Sequence, residues 1–413
     1  MRKQLTVIIL SLILTIGLEA KTQSPFVRTD GANLVQPNGK KLFIVGTNLG
    51  NWLNPEGYMF GLKNTNSTWM INDAIRQMVG PDAADKFWRA FKDNYVTRRD
   101  IEYISSLGAN TIRMPFNYKL FTDEDFMGLT ARQDGFARMD SLVSWCRDNN
   151  LYLILDMHDA PGGQTGDNID DSYGYPWLFD SENSQSLFCD IWRNIANRYK
   201  DEPVILGYEL LNEPIAPYFD NMKDLNAKLE PLYKRAVKAI REVDNNHIIL
   251  LGGAQWNGNF DVFTDWNFDD KIMYTCHRYG GETNSQAIGS IISFRDKTKL
   301  PMYMGEIGHN TDKWQADFCK TLRDNNIGYT FWPYKKVDNS CIMAVQRPAE
   351  WDSIVVRFAE SPRTTYKEMR DARPDQHKAS DVLNAYIESI KCENCIPQTE
   401  YIKSMGLVLP KKQ

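Results

Sequence analysis

The chain has 413 residues, with 48 Lys and Arg against 53 Asp and Glu; the formal charge of −5 disfavours a nucleic-acid partner, which would call for a basic excess. Hydrophobic residues at 42% and charged residues at 24% exclude long disorder. Only one extended apolar run exists, at the start, so a protein of several membrane spans is excluded as well.

That run belongs to an export signal. Arg2 and Lys3 precede an apolar stretch from Leu5 to Leu18, too short to cross a bilayer comfortably, and Ala20 offers a small residue for cleavage. Residues 1–20 read as a secretory signal peptide. The mature chain is expected to start near Lys21, to be secreted or periplasmic, and to have no membrane attachment once the peptide is removed.

Eight short apolar runs follow: Lys41–Thr47, Ala109–Met114, Leu151–Met157, Val204–Leu211, His247–Leu251, Lys271–Cys276, Pro301–Gly305 and Gly328–Trp332. Most are apolar on successive positions, the pattern of strands buried on both faces of a parallel sheet. Amphipathic spacing between them predicts helices over Val96–Leu107, Phe136–Asp148, Leu187–Tyr199 and Leu232–Val243. Weaker patterns cover Ala287–Phe294, Lys313–Asn325 and Trp351–Phe358, and one more helix is expected near Ser380–Ile390. Breakers such as Gly108, Asn149-Asn150, Pro203, Asn245-Asn246 and Pro301 announce several strands.

This alternation predicts a (β/α)8 barrel, with a long insertion over 51–95 after the first strand and a helical tail over 361–413. The expected organisation is a signal peptide (1–20), a barrel (21–360) and a C-terminal extension packed on the barrel or trailing from it. An open doubly wound sheet is the rival. It would want a Gly-rich phosphate turn, and neither Gly162-Gly163-Gln164-Thr165-Gly166 nor Gly252-Gly253 has the spacing. Seven cysteines, an odd and sparse set, make no disulfide framework. Cys392 and Cys395 form a C-x-x-C without a second pair for zinc; a local disulfide stays open there.

In such a barrel the reactive residues stand at the carboxyl ends of the strands. Those ends read Asn48-Leu49-Gly50-Asn51-Trp52, Arg113-Met114-Pro115, His158-Asp159, Asn212-Glu213-Pro214, Gln255-Trp256-Asn257, His277-Arg278-Tyr279, Glu306 and Trp332-Pro333. Each apolar strand thus finishes in Arg, His, Glu, Asn, Tyr or Trp. Glu213 and Glu306 follow the fourth and seventh strands. Two carboxyls facing each other across a barrel mouth suit glycosidic cleavage with retention, one protonated to donate to the leaving oxygen and one ionised to attack carbon. Arg113 and Tyr279 are placed to serve the ionised group and His277 the other. The plain alternative is a pair of loop acids closing salt bridges. With 11 Trp in the chain, some rings are expected to stack on sugars.

These segments resemble glycoside hydrolase family 5. Val204-Ile205-Leu206-Gly207-Tyr208-Glu209-Leu210-Leu211-Asn212-Glu213-Pro214 looks like its acid/base segment and Met304-Gly305-Glu306 like its nucleophile strand. Arg113, His158, Asn212, His277, Tyr279 and Trp332 match the family's other active-site positions in type and order. Asp156 to Gln164 and Asn48 to Leu53 look closer to the exo-β-1,3-glucanase and β-glucosidase branch than to ordinary cellulases. The resemblance implies Glu213 as general acid and then base, Glu306 as nucleophile, and Arg113 and Tyr279 as its orienting partners. It further implies Asn212 on the sugar 2-hydroxyl, His158 and His277 on sugar hydroxyls or the acid, Trp332 as a stacking floor and Glu56 on a terminal sugar. It also implies a cis peptide after Trp332. Trp256 and Trp52 are candidate sugar platforms.

No metal or cofactor is expected, because carboxylate chemistry needs none, and His309, His247 and His377 are not at ligand spacing from His158-Asp159. The acidic loop Asp167–Asp171 fits either a subsite or a Ca²⁺ site. No G-x-S-x-G elbow supports serine hydrolysis. The expected partner is a polysaccharide or oligosaccharide, and the expected protein an exo-acting β-glycosidase on a β-glucan or β-glucoside. An endo-β-glucanase of the same fold and a non-catalytic carbohydrate-binding barrel are the alternatives. Oligomeric state is not legible.

Overall fold

Strands buried on both faces must be covered on both, and a closed barrel sheathed in helices does this. A computed structural model of the protein describes residues 24–128 and 133–410, so the expected signal peptide lies outside the described residues. Eight parallel strands close on themselves: β1 (Val45–Asn48), β2 (Thr111–Asn117), β3 (Tyr152–Asp159), β4 (Ile205–Glu209), β5 (Ile248–Gly252), β6 (Ile272–His277), β7 (Met302–Gly308) and β8 (Gly328–Trp332), with β8 pairing to β1. The order is sequential around the ring, the topology of a (β/α)8 barrel.

The helices are α1 (Thr68–Val79), α2 (Pro81–Asn94), α3 (Arg98–Ser106), α4 (Gln133–Asp148), α5 (Glu182–Tyr199), α6 (Met222–Arg241), α7 (Gly289–Thr298) and α8 (Asp312–Asp324). Helix α6 begins ten residues before the expected Leu232, because the helix carries Pro231 within it. A proline there usually marks a boundary, but the buried face from Leu225 to Ile240 holds one helix together. The segment Trp351–Val356 is a π-helix running into a helical turn over Arg357–Ala359.

The first expected strand is corrected at its start. Lys41–Leu42 turns away into a small antiparallel sheet with Arg28–Asp30 and Asn33–Val35, and only Val45–Asn48 enters the barrel. This sheet caps the amino-terminal end. Val27, Leu34 and Leu42 share one apolar cluster with Ile154, Leu206, Ile248, Leu250 and Met273 inside the barrel. A second, larger cluster fills the layer between strands and helices.

The tail packs rather than trails. Helices α9 (Tyr366–Ala372), α10 (Gln376–Ser389) and α11 (Thr399–Ser404) follow the barrel, and α10 lies on α1 and α2 of the insertion. Tyr386 stacks on Trp351 with ring centres 4.4 Å apart and lies parallel to Phe91. The buried Lys335 ammonium donates to Asp100 Oδ1 at 2.7 Å and to the carbonyl of Ile390 at 2.9 Å, tying barrel, helix and tail together. All seven cysteines are buried free thiols. Among the described residues no helix is long and apolar enough to cross a membrane.

Candidate active site

Alternation along a strand carries the interior from hydrocarbon to charge. Ile154 of β3 belongs to the apolar interior, and two and four residues further on the same face come Asp156 and His158. At that level Arg113 of β2, fully buried, gathers its neighbours. Nη1 donates to Glu306 Oε1 at 2.7 Å and to Asn48 Oδ1 at 2.9 Å. Nη2 donates to Glu209 Oε1 at 2.7 Å and to Asn212 Oδ1 at 2.8 Å, and lies 3.0 Å from Asp156 Oδ2. Nε donates to Glu209 Oε2 at 2.9 Å, which also accepts from the Tyr303 hydroxyl at 2.7 Å. The guanidinium fork thus fixes three carboxylates at once, which a point charge would not do.

Glu306 accepts on both oxygens. Arg113 serves Oε1, and the Tyr279 hydroxyl donates to Oε2 at 2.5 Å. The preceding residue must be glycine: a Cβ on Gly305 would stand 2.4 Å from Thr275 Oγ1 and 3.0 Å from His277 Nε2. A side chain at 305 would thus press on the His277 ring that serves both acids.

Glu213 sits on left-handed backbone, with φ of 45° there and 59° at Ile215, conformations that β-region loops avoid unless held. The holding comes from the loop after β3. Gln164 Nε2 donates to the Asn212 carbonyl at 2.8 Å, and the Thr165 hydroxyl donates to the Glu213 carbonyl at 2.7 Å. His277 Nδ1 lies 2.8 Å from Glu213 Oε1 and 3.5 Å from Glu306 Oε2. Asn257 Nδ2 donates to His277 Nε2 at 3.1 Å, so the ring proton belongs on Nδ1, facing the acids. Burial lowers the His277 pKa to about 4 and keeps the ring neutral, with Glu306 opposing. Burial likewise pushes the Glu213 carboxyl up to about 7, with His158 and Arg113 opposing it and Asp167 and Glu209 adding to it.

Oxygens of Glu213 and Glu306 and a nitrogen of His277 lie within 4.8 Å of one another. That closeness is compatible with double displacement, for which the two carboxyls stand about 5–5.5 Å apart. The same three side chains form the one grouping among the described residues that offers a cation three donors. The fit to a metal is poor, because both Glu306 oxygens already accept hydrogen bonds and the adjacent Arg113 guanidinium repels a cation.

Above the acids opens a pocket of about 360 Å³, lined by Glu56, Tyr58, His158, Ile169, Glu213, Tyr279, Glu306, His309 and Trp332. Glu56 and Tyr58 come from the 51–95 insertion and Ile169 from the loop after β3, and Asn54 Nδ2 donates to the Ile169 carbonyl at 3.0 Å to join the two. Glu56 is buried, and burial with the neighbouring Glu306, Glu213 and Asp167 raises its carboxyl well above the ordinary range. Trp332 stacks on His158, ring centres 4.9 Å apart and planes 3° from parallel, so one face of the indole is already covered. The Trp332–Pro333 peptide is cis, as expected.

Of the expected residues, Glu213, Glu306, His158, Tyr279, Trp332 and Glu56 line this pocket together. Arg113, Asn212 and His277 lie behind them in direct contact; the Asn212 amide is occupied by Arg113 and, at 3.3 Å, by His158 Nε2. Trp256 departs from the group. It is 40% exposed beside Tyr218, ring centres 6.2 Å apart, and does not line the pocket. Trp52 is corrected too: it is buried, its indole nitrogen donating to the Lys92 carbonyl at 2.8 Å, and so serves the insertion rather than a sugar. The Ca²⁺ alternative for the acidic loop fails on partners. Asp170 accepts from the backbone of Thr165 and Gly166, Asp171 from Lys119 Nζ at 2.9 Å and Asp167 from the Tyr218 hydroxyl at 2.7 Å.

Tyr58, Ile169, His309 and Glu209 were not expected at the site. Glu209 was legible in principle, as a carboxylate inside an apolar strand that needs a buried cation. His309 follows β7 directly, a position that barrel logic points to.

A barrel whose mouth brings two carboxyls this close, one held up in protonation and one gripped by donors, defines the class: a retaining glycoside hydrolase. The sequence comparisons agree. Residues 63–338 match the cellulase family, glycosyl hydrolase family 5. A glucan 1,3-beta-glucosidase of Candida oleophila is 31% identical over 339 residues, covering 70% of this chain and 75% of that one. Endoglucanase C of Acetivibrio thermocellus is 29% identical over 307 residues, covering 60% and 86%. A beta-xylosidase of Phanerodontia chrysosporium is 30% identical over 259 residues; the match spans 62% of this chain but 52% of that protein, about half its length. Among solved structures, the beta-glucanase SdGluc5_26A of Saccharophagus degradans superposes with a TM-score of 0.53 at 16% identity, covering 89% of this chain and 94% of that one, a likeness of fold. The chain belongs to glycosyl hydrolase family 5.

Proposed function

We propose that the protein is an exported, exo-acting β-glycosidase that removes terminal sugars from a β-glucan or a β-glucoside. The observation that carries this reading is the meeting of Glu213 and Glu306 in one pocket of about 360 Å³, on whose wall stand Glu56 and Tyr58 of the long insertion.

In this reading the protonated Glu213 gives its proton to the departing glycosidic oxygen while Glu306 forms an ester with the anomeric carbon. Glu213, now ionised, takes a proton from water, which attacks the same carbon and releases Glu306. Arg113 and Tyr279 aim the nucleophile. His277 steadies Glu213 through Nδ1–H. His158, Asn212 and Trp332 shape the floor beneath the sugar, and Glu56 binds a hydroxyl at its far side. Trp256, with Tyr218, serves the rim on the acid side, where a leaving group passes.

The test is hydrolysis of an aryl β-glucoside by the protein and by Glu306→Ala, followed by product analysis on soluble β-glucans. Equal rates for the two proteins would remove the mechanism and favour a carbohydrate-binding barrel. A ladder of oligosaccharides at early times would remove exo action. That second reading, an endo-β-glucanase, is favoured by the similarity to endoglucanase C. Export is tested by the amino-terminal residue of the protein recovered outside the cytoplasm, expected near Lys21.

A further inference from the structure

The pocket has a neighbour. A second, polar cavity of about 770 Å³ lies where the loops after β7 and β8 meet the carboxyl-terminal segment, with His309, Asn310, Asn339, Gln398 and Tyr401 in its lining. His309 lines both cavities. The back of the second cavity touches the floor of the first as well, because the Tyr401 hydroxyl donates to the carbonyl of Trp332 at 3.4 Å.

Where the two meet, at His309, a chain of hydrogen bonds stands. Trp332 Nε1 donates to the Tyr58 hydroxyl oxygen at 2.6 Å, which leaves the Tyr58 proton for His309 Nε2, 3.3 Å away. The Tyr58 and His309 rings meet edge to face, centres 5.2 Å apart. The His309 backbone is left-handed, φ 48°, a costly conformation for a residue other than glycine. It follows Gly308, where a Cβ would stand 2.5 Å from the Trp332 carbonyl. This partition stands on the nucleophile's side: Tyr279, which donates to Glu306, has its ring 5.9 Å from that of His309. Asp167, Tyr218 and Trp256 gather on the side of Glu213, toward which the leaving group departs.

We infer that Tyr58 and His309 form the wall that limits the retained glycone to one sugar, and that the cavity behind them has room for a second. This rests on the reading of the pocket as a glycosidase site. The tail thereby gains a part in specificity, since its Gln398 and Tyr401 line the second cavity. Removing the ring of His309 joins the two spaces into a groove, and a disaccharide can then occupy the glycone side.

The experiment compares the protein with His309→Gly on the nitrophenyl β-glycosides of laminaribiose and cellobiose. Glycine is at ease at φ 48°, so the substitution relieves backbone strain, and thermal melting checks the fold. The protein itself is expected to release glucose first and leave the aryl glucoside. His309→Gly is expected to release the intact disaccharide with nitrophenol, its share of product rising about tenfold or more, the scale on which one pocket wall discriminates. Adding Asn339→Trp to His309→Gly narrows the second cavity and is expected to reduce disaccharide release while glucose release persists. The inference is overturned if the unaltered protein already releases disaccharide as readily, if folded His309→Gly releases none, or if Asn339→Trp changes nothing. Where the aryl glucoside is cleaved and only these variants fail, the wall is wrong and the glycosidase reading stands; where the aryl glucoside is not cleaved at all, both fall.

Discussion

The two ends of the barrel are built from the same strands and obey opposite rules. At the amino-terminal end Ile154, Leu206 and Ile248 pack with Val27, Leu34 and Leu42 of the capping sheet, and hydrocarbon meets hydrocarbon. At the other end Asp156, Glu209 and Glu306 converge on Arg113, and every contact is a charge-assisted hydrogen bond or a close ion pair. The lower end gains from burial itself. The upper end is costly to bury and persists because each charge is partnered. Stability and chemistry thus occupy opposite ends of the barrel, and substitutions at each should separate them.

The largest expected effect is on catalysis. Glu306→Ala should lower kcat by about 10⁴-fold or more, the scale for loss of a covalent nucleophile. A residual rate within tenfold of the parent would break the contrast. Next comes Arg113→Leu, which leaves Asp156, Glu209 and Glu306 facing one another. Removing one partner of such a buried network costs about 3–5 kcal/mol, so chemical denaturation should show this loss together with the loss of activity. Leu206→Ala, at the capped end, should cost about 2–5 kcal/mol and leave kcat of the folded protein unchanged. A fall in kcat there would mean that the two ends are coupled.

The upper end was the more legible of the two. Polar residues that terminate apolar strands are rare enough to be noticed one by one, which is how Arg113, His158, Glu213, His277 and Glu306 came together from a linear text. The capping sheet escaped because its strands are two or three residues long and no periodicity shows in so few positions. Lys41–Leu42 merged with Val45–Asn48 for the same reason. Tyr58 and His309 escaped because they reach the pocket from loops, where position depends on contacts 251 residues apart in sequence. Trp256 is at a strand end too, but Gln255, Trp256 and Asn257 all adopt left-handed backbone, and its ring stands outside the pocket lining, beside Tyr218. The helix boundary at Pro231 shows local propensity losing to a buried face.

The smallest expected effect is the sharpest on a single group. Burial raises the Glu213 carboxyl to about 7, and as general acid this group works only while protonated. Activity should therefore fall as pH rises through about 7, by tenfold for each further unit, and should not fall there from loss of fold. The same shift acts on stability with a definite sign. A carboxyl held above its ordinary value near 4.5 stabilises the fold below that value, and this contribution is lost as pH rises from there to about 7 and is constant beyond. In Glu213→Gln the alkaline limb should vanish from the pH profile of kcat/KM on an aryl glycoside with a good leaving group, which departs without a proton. A limb that persists near pH 7 in that variant would assign the titration to another group. Asp156, raised by burial to about 7 with Arg113 opposing, would be the first to substitute, as Asp156→Asn.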